Sequence, residues 1–234
     1  SFDDIVKDGI PSDVKVIINA GRLDDAWSGG WHWKNPKVIE VLTEWVYNGG
    51  GFIGVGEPSA AKHSSQYLQM SHVLGVEREI GLTNAHSKYA YNIPAEKHFI
   101  MKDVEGSLDF GKDIDNIYIL GNDTTVLADK DKSPKVAVHG FGKGRSVYLS
   151  GHKFTPQNIR LLHRAIYWAA GCEDKFGPWT CSNVNTECAY YPKNKKLVVI
   201  NITDKPQETK VFDANNNPID VSIEAYGSKI LDIK

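Results

Sequence analysis

The sequence predicts an α/β unit, built on a mainly parallel sheet with helices on both faces, followed by a small antiparallel β unit. Three observations carry that expectation. Two short apolar runs, residues 14–18 and 51–56, flank a segment of helical periodicity, the order that gives a right-handed parallel crossover. Helical patterning recurs as far as Gly171. Beyond it only alternating, strand-like stretches remain.

Val14-Lys15-Val16-Ile17-Ile18 is nearly continuous in apolar residues and ends at Asn19-Ala20-Gly21, as a strand covered on both faces does. Asn35-Pro36 supplies a helix N-cap with proline at the first helical position. Val38, Val41, Leu42, Trp45 and Val46 fall on one helical face, and Gly49 stops the helix. Gly51-Phe52-Ile53-Gly54-Val55-Gly56 is the second buried strand. A helix is expected around Gln66 to Leu74, ended by Gly75, and residues 81–105 read as irregular. Residues 117–120, 125–128, 135–139 and 146–149 read as strands, the last three as a meander. Its final turn is the glycine-rich Gly140-Phe141-Gly142-Lys143-Gly144. Thr155-Pro156 caps a last helix with Ile159, Leu162, Ile166 and Ala170 on its inner face, stopped by Gly171. Residues 1–174 are therefore assigned to the α/β unit, residues 175–196 to a linker rich in Cys, Asn, Pro and Tyr, and residues 197–234 to the β unit.

With 234 residues and 41% hydrophobic content, the chain can form one sizeable core and a smaller one. The 27 basic residues are matched by 29 acidic ones without a basic run, which argues against nucleic acid as a partner. No apolar run reaches the ~18 residues of a membrane helix, so no membrane partner is expected. The start, Ser1-Phe2-Asp3-Asp4, has neither the basic nor the apolar region of a secretion signal, and it lacks Met, so a processed or excised piece is expected. Cys172, Cys181 and Cys188 match no C-x-x-C pattern. Their odd number favours reduced thiols and a cytoplasmic location, with a Cys181–Cys188 disulfide as the alternative.

Gly54-Val55-Gly56-Glu57-Pro58 lies where doubly wound sheets bind ligands, at a strand's carboxyl end. A nucleophile elbow needs Ser or Cys there, and Gly56 has no side chain. A phosphate-binding G-x-G-x-x-G is also broken, because Ser59 replaces its third glycine, so a tight turn with close packing is the simpler reading. His152, after the strand 146–149, has no evident nucleophile to activate and reads as a packed or solvent-facing histidine. The most unusual segment is Trp27-Ser28-Gly29-Gly30-Trp31-His32-Trp33. Loop tryptophans at the ligand end of a sheet suit stacking on the apolar faces of sugar rings. Trp27, Trp31, His32 and Trp33, with Glu57 at the neighbouring strand end, are the candidate substrate-binding residues. The competing reading has the tryptophans packing against another domain, and both hold if that domain is catalytic. Asp24, Asp25, Glu57, Glu77 and Glu79 are not fixed in pairs across any cleft, so no glycosidase-like acid and base can be assigned.

Residues 24–33, Tyr47-Asn48-Gly49-Gly50-Gly51-Phe52-Ile53-Gly54-Val55-Gly56-Glu57-Pro58-Ser59, Tyr67-Leu68-Gln69 and Val73-Leu74-Gly75-Val76-Glu77-Arg78-Glu79 together resemble one group. It is the 1,3-β-galactosyl-N-acetylhexosamine phosphorylases, also called lacto-N-biose or galacto-N-biose phosphorylases, glycoside hydrolase family 112. The resemblance covers nearly the whole chain but only the later part of the family's sequence. It implies a TIM-barrel domain N-terminal to this chain in the parent protein, which carries the catalytic acid. A glutamine-amidotransferase-like (flavodoxin-like) domain and a small β domain then follow. The nucleophile position of that fold falls at or near Gly56 and its histidine near His152, so the site is degenerate. The resemblance further implies a parent enzyme that converts β-1,3-galactosyl-N-acetylhexosamine and phosphate to galactose 1-phosphate with inversion. No metal or cofactor is implied, and phosphate is a co-substrate. The implied partners are the barrel, the β-galactoside, phosphate and further copies of the chain in a homo-oligomer. A galactosyl-rhamnose substrate is an alternative within the group. The expected role is non-catalytic, supporting the barrel active site and assembly. A stand-alone sugar-binding or oligomerisation module, like the related domain of some β-galactosidases, is the second reading, and an active amidotransferase-like hydrolase the third, opposed by Gly56.

Overall fold

A computed structural model describes residues 1–62, 66–81 and 90–233. The chain enters through α1 (Phe2–Asp8), started by a capping box in which the Ser1 hydroxyl accepts from the Asp4 amide. Strand β1 (Val16–Gly21) then pairs in parallel with β2 (Gly51–Gly56), Val16 opposite Gly51 through to Gly21 opposite Gly56. Between them runs α2 (Pro36–Tyr47), where the Asn35 side chain accepts from the Lys37 amide at 3.0 Å. This helix buries Val38, Leu42 and Val46, the stripe its periodicity predicts.

The excursion after β2 contains α3 (Ser71–Leu74), closed by Gly75 in the left-handed conformation, and an antiparallel pair, β3 (Val76–Arg78) with β4 (Ile117–Ile119). The longer helix expected from Gln66 to Leu74 shrinks to that single turn over its described residues; residues 63–65 lie outside them. Tertiary hydrogen bonds take its backbone instead: the Ala61 amide donates to the Tyr67 carbonyl at 2.9 Å and the Gln69 amide to Ser59 at 3.0 Å. The region read as irregular, residues 81–105, holds one short 3-10 turn, Phe99–Met101; its residues 82–89 lie outside the described set.

Strands β5 (Thr124–Lys130), β6 (Ser133–Phe141) and β7 (Gly144–Leu149) complete a five-stranded sheet of order β1-β2-β7-β6-β5. The ladders β1–β2 and β2–β7 are parallel, and β7–β6 and β6–β5 are antiparallel. The sheet is therefore mixed, not mainly parallel. The reversal comes from the tight turn at Gly142-Lys143, which needs φ +61° at Gly142, where a Cβ would meet the Tyr47 carbonyl at 2.5 Å. Its two faces alternate as pleating requires. Phe52, Val126, Ala137 and Tyr148 pack on the α2 side. Ile53, Val136, Val147 and Leu149 pack against α4 (Pro156–Ala169) on the other.

Thr155 caps α4 by accepting from the Asn158 amide at 3.2 Å. Its inner face differs from the expected stripe of Ile159, Leu162, Ile166 and Ala170, which are only partly buried. The buried residues are Asn158, Arg160, Leu161, Ala165 and Ala169. Two polar side chains go inside because each finds partners: Asn158 donates to the carbonyls of Asp109 and Lys153 at 2.7 and 2.8 Å, and Arg160 to that of Cys181 at 2.7 Å. Lys135 on β6 is a third, fully buried; its ammonium donates to the Ile114 carbonyl at 2.9 Å and contacts Asp113 and Asp115 at 2.9 and 2.7 Å.

Past Gly171 the chain forms two three-stranded antiparallel sheets, of order β13-β10-β9 and β12-β11-β8. The strands are β8 (Thr180–Cys181), β9 (Thr186–Tyr191), β10 (Lys196–Asn201), β11 (Gln207–Phe212), β12 (Pro218–Ile223) and β13 (Ser228–Asp232). Cys181, Leu197, Val199, Val211, Val221 and Ile223 form their shared core. Residues 175–196, expected to be a linker, carry β8 and β9; their polar, tyrosine-rich composition conceals strands whose partners lie downstream. All three cysteines are free thiols. No described helix is long and apolar enough to cross a membrane.

Candidate functional site

The loop after β1 is shaped by hydrogen bonds from its own short polar residues. Asp25 accepts from the Trp27 amide at 3.0 Å, and the Ser28 hydroxyl donates to the Arg22 and Asp25 carbonyls at 2.7 and 3.0 Å. Asn19, buried on β1, donates to the Ser28 carbonyl at 2.9 Å and accepts from the Ser59 amide at 2.8 Å, so one side chain ties this loop to the turn after β2. Gly29 sits at φ +97°, and a Cβ there would lie 2.5 Å from the Phe2 ring. Two short 3-10 turns result, Ala26–Ser28 and Gly30–Lys34.

These turns separate the three tryptophans. Trp33 is 1% exposed; its indole N–H donates to the Ser28 carbonyl, and its ring joins the α2-side core. Trp27 and Trp31 are 89% and 69% exposed. His32 is stacked between the Trp31 ring at 4.1 Å and the Phe2 ring at 5.0 Å. A cavity of about 240 Å³ adjoins this aromatic surface, lined in part by Phe2, Ile5, Ile18, Asn19, Trp27 and Trp33. Trp27, Trp31 and His32 thus share one side of the molecule. Trp33 is buried in the core and meets this surface only where it lines the wall of that cavity.

Glu57 is also buried. Its carboxylate, 6% exposed, accepts from the Leu23 amide at 3.0 Å and the Tyr67 hydroxyl at 2.6 Å, and pairs with the Arg78 guanidinium. Burial, reinforced by the bond to Glu57, pushes the Tyr67 phenol up to about 12. Glu77, beside it, accepts from the Leu68 and Arg78 amides at 2.9 and 2.8 Å, and burial pushes its carboxyl up. These acids bond the loops around them, and among the described residues they do not pair across a cleft.

Gly56, the residue at the end of β2, has no side chain to act as a nucleophile. Gly56 adopts φ +78°, and a Cβ would lie 2.7 Å from the Gly21 carbonyl. The Ser59 hydroxyl, fully buried, donates to the Pro58 carbonyl at 2.5 Å and accepts from the Met70 amide at 2.9 Å. His152 bonds through Nε2 to the Asn158 carbonyl at 3.2 Å and packs edge-on against Phe154. Among the described residues, then, the end of β2 brings no hydroxyl or thiol to a histidine. What the arrangement offers is an aromatic platform set by two short 3-10 turns. The one platform residue missed by sequence reasoning is Phe2; the Ser1–Asp4 capping box was the signal for its helix.

Residues 1–174 match the family model described as the lacto-N-biose phosphorylase central domain, and residues 179–231 match the lacto-N-biose phosphorylase C-terminal domain. The chain is 41% identical over 226 residues to a 1,3-beta-galactosyl-N-acetylhexosamine phosphorylase of Lachnoclostridium phytofermentans, covering 96% of this chain and 31% of that protein. It is 37% identical over 211 residues to a D-galactosyl-beta-1->4-L-rhamnose phosphorylase of the same organism, covering 90% of this chain and 28% of that protein. Among solved structures, a β-galactosidase from Rahnella sp. R3 aligns with a TM-score of 0.49 at 16% identity, over 83% of this chain and 30% of that one. The chain spans about a third of the length of the curated relatives it matches.

Proposed function

The chain belongs to the lacto-N-biose phosphorylase family, of which it corresponds to the central and C-terminal domains, and from that premise we propose that it is the non-catalytic portion of a galactoside phosphorylase. The parent enzyme, in this reading, converts a β-1,3-galactosyl-N-acetylhexosamine and phosphate to galactose 1-phosphate in the cytoplasm. Inversion has phosphate attack the anomeric carbon on the face opposite the leaving sugar, whose oxygen a general acid protonates. That acid belongs to the barrel domain of the parent protein. This chain holds the aromatic surface of Trp27, Trp31 and His32 against that domain and its sugar site. Its α/β unit is a degenerate relative of glutamine amidotransferases, with Gly56 at the nucleophile position.

The observation that carries the reading is the contrast at the sheet's carboxyl end. Glycine, committed carboxylates and a packed histidine occupy the place where chemistry is done in such folds, while two tryptophans stand exposed beside it. The experiment is kinetic. In the full-length enzyme, Trp31→Ala and His32→Ala should lower kcat/KM for lacto-N-biose phosphorolysis about tenfold or more, with little change in Tm. Unchanged kinetics with a lowered Tm would mean that these rings only pack. The purified chain alone, given lacto-N-biose and phosphate, should form no galactose 1-phosphate; product that scales with protein above a heat-killed control overturns the non-catalytic assignment.

A further inference from the structure

Cys181 on β8 and Cys188 on β9 belong to different sheets of the C-terminal β unit, yet both pack in the one core those sheets share. Cys181 is buried at 2% exposure and Cys188 is half-buried. A cavity of about 240 Å³ opens on both, lined also by Arg160, His163, Trp179 and Glu187. A molecule the size of hydrogen peroxide fits within that volume. Arg160, itself buried, reaches this point from α4 and donates to the Cys181 carbonyl at 2.7 Å. The Cys188 thiol also lies 2.9 Å from the Trp179 carbonyl oxygen. Trp179 holds φ at +58°, an unfavourable conformation for a bulky residue, and its ring stacks on Tyr190 at 4.0 Å. Two thiols, a buried cation and an access cavity thus meet at the seam between α4 and the β unit.

We propose that Cys181 and Cys188 form a peroxide-reactive dithiol that closes reversibly to a disulfide joining the two sheets. The Cys181 thiolate attacks one oxygen of hydrogen peroxide and the O–O bond breaks. Cys181 becomes a sulfenic acid, and the departing hydroxide takes a proton to give water. Cys188 then attacks the Cys181 sulfur, the S–O bond breaks, and the leaving hydroxide takes the Cys188 proton as a second water. Two thiols and one peroxide give one disulfide and two waters, with two electrons passing to the peroxide. The division of roles follows from the site. The neighbouring Cys188 thiol brings the Cys181 thiol down to about 7, helped by Thr186, Arg160 and Thr209 against the opposing effect of burial. Cys181 in turn, with burial, pushes Cys188 up, so Cys188, whose thiol donates to the Trp179 carbonyl, keeps its proton until the second step. Disulfide formation withdraws the Cys188 donor from Trp179, which couples oxidation to the strained start of β8.

The test uses the full chain carrying Cys172→Ser, because the Cys172 thiol donates to the Ala170 carbonyl at the end of α4 and has no part in the pair. After exposure to hydrogen peroxide, remaining thiols are alkylated under denaturing conditions and the peptides mapped by mass. The expected result is a linkage between the Cys181 and Cys188 peptides, lighter by two hydrogens, undone by dithiothreitol. It should form about tenfold faster in the folded chain than in concentrated urea, where the thiols are no longer held together. Cys188→Ser should instead accumulate a sulfenic acid on Cys181, trapped by dimedone. The proposal is overturned if both thiols of the folded chain stay alkylatable at peroxide doses that oxidise glutathione, or if they pass to sulfinic acids without linking. Mapping the unaltered pair decides the matter even if Cys188→Ser does not fold.

Discussion

Glu57 shows how a residue placed at a ligand-binding position can be structural instead. It is the shared acceptor of the Leu23 amide, the Tyr67 hydroxyl and the Arg78 guanidinium, and its exposure is 6%. Glu57→Ala leaves these donors unmatched, and the expected loss is on the order of 3 kcal/mol, moderated because the Arg78 side chain is 27% exposed. Urea denaturation checks it; a loss below about 1 kcal/mol would show that water replaces the carboxylate freely. His72 contributes to the response to pH. Its Nε2 bonds the Thr43 hydroxyl at 2.9 Å, and burial, with the nearby His139, holds its pKa below the usual 6.5. As pH falls through about 6.5 the unfolded chain takes up this proton while the folded chain does not, so stability falls until the folded-state pKa is reached. His98, lowered mainly by burial, acts in the same direction. Glu77 acts oppositely: its raised pKa means the folded chain holds a proton longer, so its contribution is lost as pH rises above 4.5. Denaturation midpoints measured through the histidine window should decline with acidity, and His72→Gln should reduce the slope.

The elements legible in the sequence were those specified locally. Asn35-Pro36 and Thr155-Pro156 start the two long helices where capping chemistry says they should, and Gly171 ends the second at φ +64°. Asn35→Ala should therefore cost about 1 kcal/mol, and Asn35→Asp should retain most of it, read from the shift of the urea midpoint. The elements that were misread depend on distant partners. The helix expected before Gly75 gives way because the backbone near Tyr67 and Leu68 bonds to residues 59–61 and to Glu77. The inner stripe of α4 was displaced because hydrophobicity selects Ile159 and Leu162, whereas Asn158 and Arg160 have partners waiting on other elements. The direction of β6 was implicit in the glycine-rich hairpin, yet β7 is placed beside β2 only by side chains that alternate between the two faces. At the candidate site, clustering of Trp27, Trp31 and Trp33 was plain in the sequence, but which indole turns inward depends on the left-handed Gly29 and the Ser28 carbonyl.

At the scale of the whole chain, α4 connects the two halves. Arg160 donates to Cys181 of β8, and Arg164 pairs with Asp103 at 2.5 and 3.1 Å while its guanidinium lies 4.2 Å from the Phe176 ring. The buried ammonium of Lys135 lies within the first half, where β6 meets the loop 113–115. An amine-acylating reagent in water must wait for that loop to lift away, whereas it meets the exposed Lys193 at once. Acylation of Lys135 should therefore trail that of Lys193 by orders of magnitude in native buffer and accelerate with urea. Peptide mapping by mass makes the ratio of the two rates a clock for how often the sheet uncovers its centre, and equal rates would show that the loop 113–115 opens freely. Lys135 is in this sense a built-in timer: the sheet's breathing can be read from a single native amine, with no label introduced.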